Sequence, residues 1–354
     1  MMPTDDPSRQ SDPAEGAVSL AEAFEAERGH LRAVAYRLLG SVADAEDVVQ
    51  ESWLRLRRVD PEQIHDLRAW LTVVVGRLCL DQLRSARGRR EGYVGPWLPE
   101  PLVPGLAGDG GAAGGGVAAG AGGSVDVGAP IADAALVAGV AVPVGGASGG
   151  GELPADPADR VTLAESVSLA MMVVLEALSP AERTAFILHD VFGYEFGEIA
   201  EATGRTPAAA RQLASRARRH VRDRAVRFDP DPAEHRRVAD AFFAAAAGDD
   251  LDGLLAVLDP EAVLRSDGGG LVKAARRPIA GADKVARFVL GIVDKGLRQA
   301  ELPTRFELVE VNGEPGFAAF EGDALRYVGA LHIVDGRIVE INMVGNPHKL
   351  RHLA

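Results

Sequence analysis

"LSPAERTAFILHDVFGYEFGEIAEATGRTPAAARQLASRARRHVR", residues 178–222, is the stretch on which the reading of this chain turns. Ser179-Pro180 followed by Glu182 marks a helix start: a hydroxyl cap, proline at the first position and an acid in the first turn. "FGEIAEATG" (196–204) predicts a short helix closed by Gly204, which suits a left-handed turn. Thr206-Pro207 caps the next helix, in which Ala210, Leu213, Ala214, Ala217 and Val221 recur at helical spacing and face inward. Thr206 at its leading end and Arg211, Gln212, Ser215, Arg216, Arg218 and Arg219 along it are left outside, and Ala200 is small where the two helices must cross. The pattern predicts a helix-turn-helix whose second helix offers arginine and amide groups to a major groove. Arginine reads guanine or neutralises phosphate, and glutamine reads adenine. A run of positive charge by itself is most often a solvated face; the cap, the turn and the small crossing residue together favour DNA binding.

That basic helix belongs to an acidic chain of 354 residues with a net charge of −13. Net charge bears on solubility and non-specific attraction rather than fold, so any nucleic-acid binding is expected to be local and dependent on orientation. The length allows two or three domains, and 47% hydrophobic with 25% charged residues is the balance of a soluble globular protein. Cys79 is the only cysteine, so no internal disulfide forms. The acidic, proline-rich start "MMPTDDPSRQSDPAEG" has no apolar core for a signal peptide, and no stretch is apolar enough to span a bilayer. A cytoplasmic, reducing location with no membrane partner is expected.

Helical periodicity runs from about Ala17 to Arg90. Leu31, Val34, Ala35, Leu38 and Leu39 face a core, Gly40 stops that helix, and Ser41 with Asp44 opens the next. There Ala45, Val48, Val49, Trp53 and Leu56 form the buried stripe, leaving Asp44, Asp47, Gln50 and Glu51 outside. "LRAWLTVVVGRLCLDQLRSARGRR" (67–90) is a further helix, apolar at first and basic at its end, where Arg77, Arg84, Arg87, Arg89 and Arg90 are phosphate candidates. A Gly/Ala-rich tract from about Pro104 to Gly151 lacks the large side chains that offset ordering entropy and reads as a tether. The expected boundaries are 17–92 for a first helical domain, 93–157 for a flexible linker, 158–228 for the helix-turn-helix domain and 233–354 for a C-terminal domain.

"GSVADAEDVVQESWLRL" (40–56), "LRAWLTVVVGRLCLDQLRS" (67–85) and the helix-turn-helix, in that order, resemble the region-two and region-four domains of an extracytoplasmic-function sigma factor. The resemblance implies that Asp44, Asp47, Gln50 and Glu51 dock on the clamp helices of the beta-prime subunit of core RNA polymerase. It also implies that the helix from Leu67 to Arg90, with the loop Val59 to Asp66, handles the −10 element. The helix from Thr206 to Arg222 would read the −35 element of promoter DNA.

Past the second DNA-binding domain the chain continues with two helices in 235–258, a third near 284–296, and alternating strand-like runs from Thr304 to Asn346. Helices followed by a curved antiparallel sheet make an α+β domain, similar to the cone-shaped SnoaL-like fold, which serves isomerases and non-catalytic binding domains alike. "WLPEP" (97–101), "SDGGG" (266–270) and "NPHKL" (346–350) resemble signatures of sigma factors with a fused SnoaL-like domain, the sigma-J type. The expected fold class is therefore multidomain: two all-α sigma domains, the second with a helix-turn-helix, then an α+β SnoaL-like domain. In that family the added domain regulates the sigma factor without a dedicated anti-sigma protein. Asp267, Gly268, Gly269, Gly270, Asn346, Pro347, Lys349 and Leu350 are then the expected interdomain contact. Two departures stand out: the Gly/Ala tract is longer than a usual linker, and His348 replaces the more frequent acid.

Asp267, Tyr327, His332 and Asn342 are candidates for one pocket, and an Asp/His pair suits acid–base work. No metal-ligand spacing and no nucleophile–base pattern accompany them. The expectation is no catalytic residue, no metal and no cofactor, with the pocket left open to a small-molecule ligand of unknown class. The competing reading is a polymerase-independent helix-turn-helix regulator with a ligand-sensing or enzymatic SnoaL-like domain.

Overall fold

The structure, a computed structural model, describes residues 13–60, 63–90, 92–106, 124–126, 167–223, 231–299 and 304–354, with side chains at 13–19, 86–90, 124–126, 223 and 296–299 outside that description. The first helical unit comprises α1 (Pro13–Leu39), α2 (Val42–Leu56) and α3 (Leu67–Arg90). Gly40, at φ +71°, turns the chain sharply between α1 and α2. The Ser41 hydroxyl then accepts the Asp44 amide at 3.2 Å and caps α2. Leu31, Val34 and Leu38 of α1, Val48, Val49 and Leu56 of α2, and Leu71, Val75 and Cys79 of α3 are buried together.

The second helical unit runs α4 (Leu169–Leu175), α5 (Pro180–Phe186), a π-helical turn over Ile187–Val191, α6 (Phe196–Thr203) and α7 (Pro207–Asp223). The Ser179–Glu182 box caps α5 reciprocally, and Gly204 closes α6 at φ +64°. The two units share one hydrophobic core, which neither helical pattern foretells. Gly76 of α3 meets α6 so closely that an added Cβ would lie 3.2 Å from Cβ of Ala202. The Tyr194 hydroxyl bridges them, 2.7 Å from Thr72 Oγ1 and 2.7 Å from His30 Nε2. Arg183 is buried between them, paired with Glu176 and donating to the Arg37 carbonyl at 3.1 Å.

The C-terminal unit has α8 (Pro232–Ala247), α9 (Leu251–Val257) and α10 (Ala282–Gln299) against a sheet of β2 (Leu258–Asp267), β3 (Ile279–Ala280), β4 (Thr304–Val311), β5 (Glu314–Glu321), β6 (Ala324–Val334) and β7 (Arg337–Val344). With β1 (Ser124–Asp126) the sheet order is β1-β4-β5-β6-β7-β2-β3, and β2 pairs parallel to β7 while the other pairs are antiparallel. This is the expected α+β, SnoaL-like arrangement, with the helices filling one face of the sheet. The other face packs on Leu98, Val103 and Leu169 of the preceding chain.

Two features differ from the linker expectation. Residues 97–103 are packed, with Leu98 and Val103 buried, because their apolar side chains fill the seam between the helical units and the sheet. Ser124–Asp126, within the Gly/Ala tract, add an edge strand to β4, since backbone pairing asks little of side-chain size. The remainder of that tract lies outside the described residues. No helix among the described residues is long and apolar enough to cross a membrane.

Arg183 gives a stability test. Arg183→Met should lower unfolding free energy by about 3–5 kcal/mol, because it removes the buried guanidinium that joins Glu176 to the Arg37 carbonyl; urea unfolding at neutral pH measures the loss.

Candidate nucleic-acid interface and interdomain lock

On α7, Ala210, Ala214 and Ala217 are buried against α5 and α6, which fixes the outer face. Gln212, Ser215, Arg216 and Arg219 form one exposed stripe at i, i+3, i+4 and i+7, with no partner among the described residues. The other expected residues have inward duties. Thr206 accepts the Ala209 amide at 3.2 Å as the helix cap, Arg211 lies over the Phe196 ring at 4.9 Å, and Arg218 pairs with Asp190 at 2.5 Å. The helix thus presents amide, hydroxyl and two unpaired guanidinium groups, flanked by arginines that brace it.

On α3, Arg84 is exposed and meets Asp81 at 3.4 Å. Arg77 donates to the Glu201 carbonyl of α6 at 3.0 Å, so it is held in the seam between the helical units. Arg87 and Arg89 fall on side chains outside the described set. On α2, Asp44, Asp47 and Gln50 are exposed, and Glu51 pairs with Arg55 at 3.1 Å. Leu54, 45% exposed, continues the 47-50-51 stripe by one turn. Its position three residues past Glu51 could have flagged it.

The residues of "SDGGG" and "NPHKL" meet around one carboxylate. Asp267 is 0% exposed. Its Oδ1 accepts the Tyr93 hydroxyl at 2.6 Å and the Gly269 amide at 3.0 Å; its Oδ2 accepts the Leu98 amide at 2.9 Å and Lys349 Nζ at 2.8 Å. Lys349 Nζ also donates to the Leu98 carbonyl and stands 3.9 Å from the Trp97 ring centroid. Asn346 donates to the Tyr93 hydroxyl at 2.8 Å. Burial, then the hydrogen bond to Asp267, holds the Tyr93 phenol well above its ordinary range, so it remains a donor. Gly269, at φ +61°, comes so near Asn346 that a Cβ there would be 2.3 Å from its Nδ2. Leu350 is buried beside Leu98, whereas Pro347 is exposed at the outside of the turn.

A second tie lies further along the same segment. Glu100 Oε2 accepts the Val42 amide at 2.6 Å, placing a carboxylate at the N-terminus of α2. The Glu100 amide donates to the Gly40 carbonyl at 2.8 Å, and Glu100's own carbonyl accepts the Tyr36 hydroxyl at 2.7 Å. Asn312 reaches across from the β4–β5 turn: its Nδ2 donates to the Tyr36 hydroxyl at 2.9 Å and its Oδ1 accepts the Leu102 amide at 2.9 Å. Tyr36, Tyr93, Glu100 and Asn312 were not among the expected contact residues. For Asn312 the Asn-Gly pair at 312–313 is a hairpin signal, which points to a turn rather than a contact.

The four pocket candidates do not converge: strand alternation puts Tyr327 on the other face of the sheet, and the remaining three are engaged with different partners along theirs. Tyr327 packs with the helix-covered core, whereas Asp267, His332 and Asn342 lie on the opposite face, in register with Val344, Glu340 and Ala330 respectively. His332 Nδ1 is 2.6 Å from Glu314 Oε1, and Asn342 donates to Glu340 at 2.7 Å, with Glu340 in turn paired to Arg265. Burial works against the imidazolium, but the hydrogen bond and charge of Glu314, with Glu340, outweigh it and raise the His332 pKa. No group of three or more His, Cys, Asp or Glu suited to a metal occurs among the described residues.

A helical unit with an exposed acidic face, a helix-turn-helix and a sheet domain packed against both are the architecture of a promoter-recognition subunit. Residues 23–89 match Sigma-70 region 2 and residues 168–221 match Sigma-70, region 4. The chain is 41% identical to the ECF RNA polymerase sigma factor SigJ of Mycobacterium tuberculosis, over 92% of this chain and 91% of that protein. It is 34% identical to the probable ECF RNA polymerase sigma factor SigI of the same species, over 94% of each. The crystal structure of M. tuberculosis SigJ covers 94% of this chain and 98% of its own, at 36% identity and TM-score 0.65. The chain belongs to the ECF RNA polymerase sigma factor family. Its function is that of a sigma factor, conferring promoter specificity on core RNA polymerase; the polymerase-independent reading gives way to the region 2 match.

Two outcomes test this geometry. Lys349→Met should cost about 3–5 kcal/mol by leaving the Asp267 charge buried and unpaired, and adding Asp267→Asn should recover part of that loss in a double-mutant cycle of unfolding. For His332, a folded pKa above the unfolded value of about 6.5 means its stabilisation is full below that pH and is lost as pH rises through the folded pKa. The stability advantage of the parent over His332→Gln should therefore shrink as the pH rises above about 6.5, as unfolding midpoints will report.

Proposed function

We propose that the α7 stripe of Gln212, Ser215, Arg216 and Arg219 reads the −35 element, with Thr206, Arg211 and Arg218 positioning the helix. The basic end of α3 (Arg84, Arg87, Arg89) and the loop before the helix contact the −10 region, joined by Arg77 when the seam with α6 opens. The α2 stripe of Asp44, Asp47, Gln50 and Glu51 docks on the clamp helices of beta-prime. The C-terminal domain regulates the sigma domains by holding segment 93–103, in place of a dedicated anti-sigma protein. These events belong to the cytoplasm, where polymerase and promoter are.

The single observation that carries the regulatory reading is the buried Asp267–Lys349 pair closed around the Leu98 peptide unit. A tethered contact gains effective concentration, so it biases the balance between a closed and a promoter-competent form. A contact role is also favoured over catalysis. The helix-covered face of the sheet is filled by Phe242, Phe243, Phe306 and Phe317, and His332 is engaged with Glu314 on the other face.

Run-off transcription with core polymerase tests the whole reading. Arg216→Ala or Arg219→Ala should weaken promoter binding by about 1–3 kcal/mol if the side chain reads a base, or lower the salt dependence if it binds phosphate. Charge reversal at Asp47 and Glu51 should reduce core binding without lowering the melting temperature, since exposed charges contribute little to stability. Gly269→Val should change transcript yield from matched amounts of folded protein. Full activity in every variant would remove these assignments.

A further inference from the structure

The loop between β2 and β3, "LVKAARRP" (271–278), carries three cations and no acid in a chain whose net charge is −13. The side chains of Lys273, Arg276 and Arg277 are all exposed, and none has a partner among the described residues. The neighbouring acid, Asp267, is buried and engaged by Lys349, so it does not neutralise them. The loop is held rather than free. The Gly268 carbonyl accepts the Leu271 and Val272 amides at 2.9 and 3.2 Å, and Gly270, at φ +75°, lies against Val94, where a Cβ would come to 3.2 Å. Gly95 lies against the Arg276 backbone, a Cβ there being 3.8 Å from its Cα.

These neighbours put the loop beside the chain that leaves the basic end of α3. Arg90 and Gly95 are five residues apart, a reach of at most about 18 Å. About 20 Å along duplex DNA corresponds to roughly six base pairs. The loop and the end of α3 are therefore no further apart along the chain than the length of a single short promoter segment. Leu271, 57% exposed, Val272 and Val94, 47% exposed, lie on the same rim; apolar side chains beside cations are what minor-groove binders insert at a base step.

We propose that loop 271–277 is a DNA-backbone-binding surface of the C-terminal domain, continuous with the α3 end and touching promoter phosphates next to the −10 region through Lys273, Arg276 and Arg277. It rests on the −10 assignment of α3 made above. The domain then contributes to the bound promoter complex directly, through charge, besides acting on the sigma domains through its lock.

The test uses the full chain with core polymerase, comparing Lys273→Gln/Arg276→Gln/Arg277→Gln with Arg84→Gln, each checked for an unchanged melting temperature. Promoter affinity is measured against salt concentration. Every duplex phosphate that is no longer neutralised should lower the slope of log K against log salt by about 0.9, so the slope should fall by about 1–3 in the triple variant and by about 1 in Arg84→Gln. A lower slope in the triple variant supports the loop's role. If it is lower there and unchanged in Arg84→Gln, the loop surface stands and the α3 assignment falls. An unchanged slope in the triple variant with a lower one in Arg84→Gln overturns the loop proposal and leaves α3 in place. Weaker binding of the triple variant to core polymerase without DNA, at unchanged salt slope, overturns it in favour of a polymerase-binding surface.

Discussion

A carboxylate removed from water must find cations and donors or give up its charge, and Asp267 finds four. Tyr93, the Leu98 amide, the Gly269 amide and Lys349 come from both sides of the seam between the helical units and the sheet domain. Buried ion pairs are weak sources of net stability, because desolvation offsets most of their attraction. They are strong penalties against mispairing, since a segment that fails to dock leaves a charge stranded. This asymmetry acts alongside the apolar cluster of Leu98, Val103 and Leu169 against the sheet in placing the C-terminal domain.

Segment 93–103 is the shared element. Trp97 and Glu100 contact the Gly40–Val42 turn on one side, while Leu98 and Leu102 bond to Asp267 and Asn312 on the other. The helical units meet each other separately through Gly76 and Ala202 and through Tyr194, which binds Thr72 and His30. Three units therefore close against one another through two seams, and each holds a buried cation, Arg183 between the helical units and Lys349 against the sheet domain. In the closed arrangement Arg77 is occupied by the Glu201 carbonyl, while the α7 stripe stays open.

Local signals carried much of this. The caps at Ser41 and Ser179, the left-handed Gly204 and the alanine stripe of α7 are short-range devices, and each is readable from a few neighbouring residues. The motifs at 97–101, 266–270 and 346–350 were visible by resemblance. Their common centre was not, because it joins residues as much as 251 positions apart and nothing local marks Tyr93 as a donor to it, or Asn312 as the partner of Tyr36 and Leu102 in the neighbouring tie. The end of β2 was legible as the strand exit at Asp267–Gly270, while its start was obscured by Asp259, Pro260 and Glu261. The pocket of Asp267, Tyr327, His332 and Asn342 lost Tyr327 to parity, since residue types alone do not say which face of a sheet they occupy.

The span closed by Lys349 also has a meaning in time. Its partner carbonyl on Leu98 is synthesised 251 residues earlier, and at roughly 5–20 residues per second the interval is about 13–50 s. Both helical units leave the ribosome within that interval, before the ammonium that completes the Asp267 site exists. Every molecule of this factor thus passes through an unlocked infancy, whose length is set by translation speed rather than by any ligand.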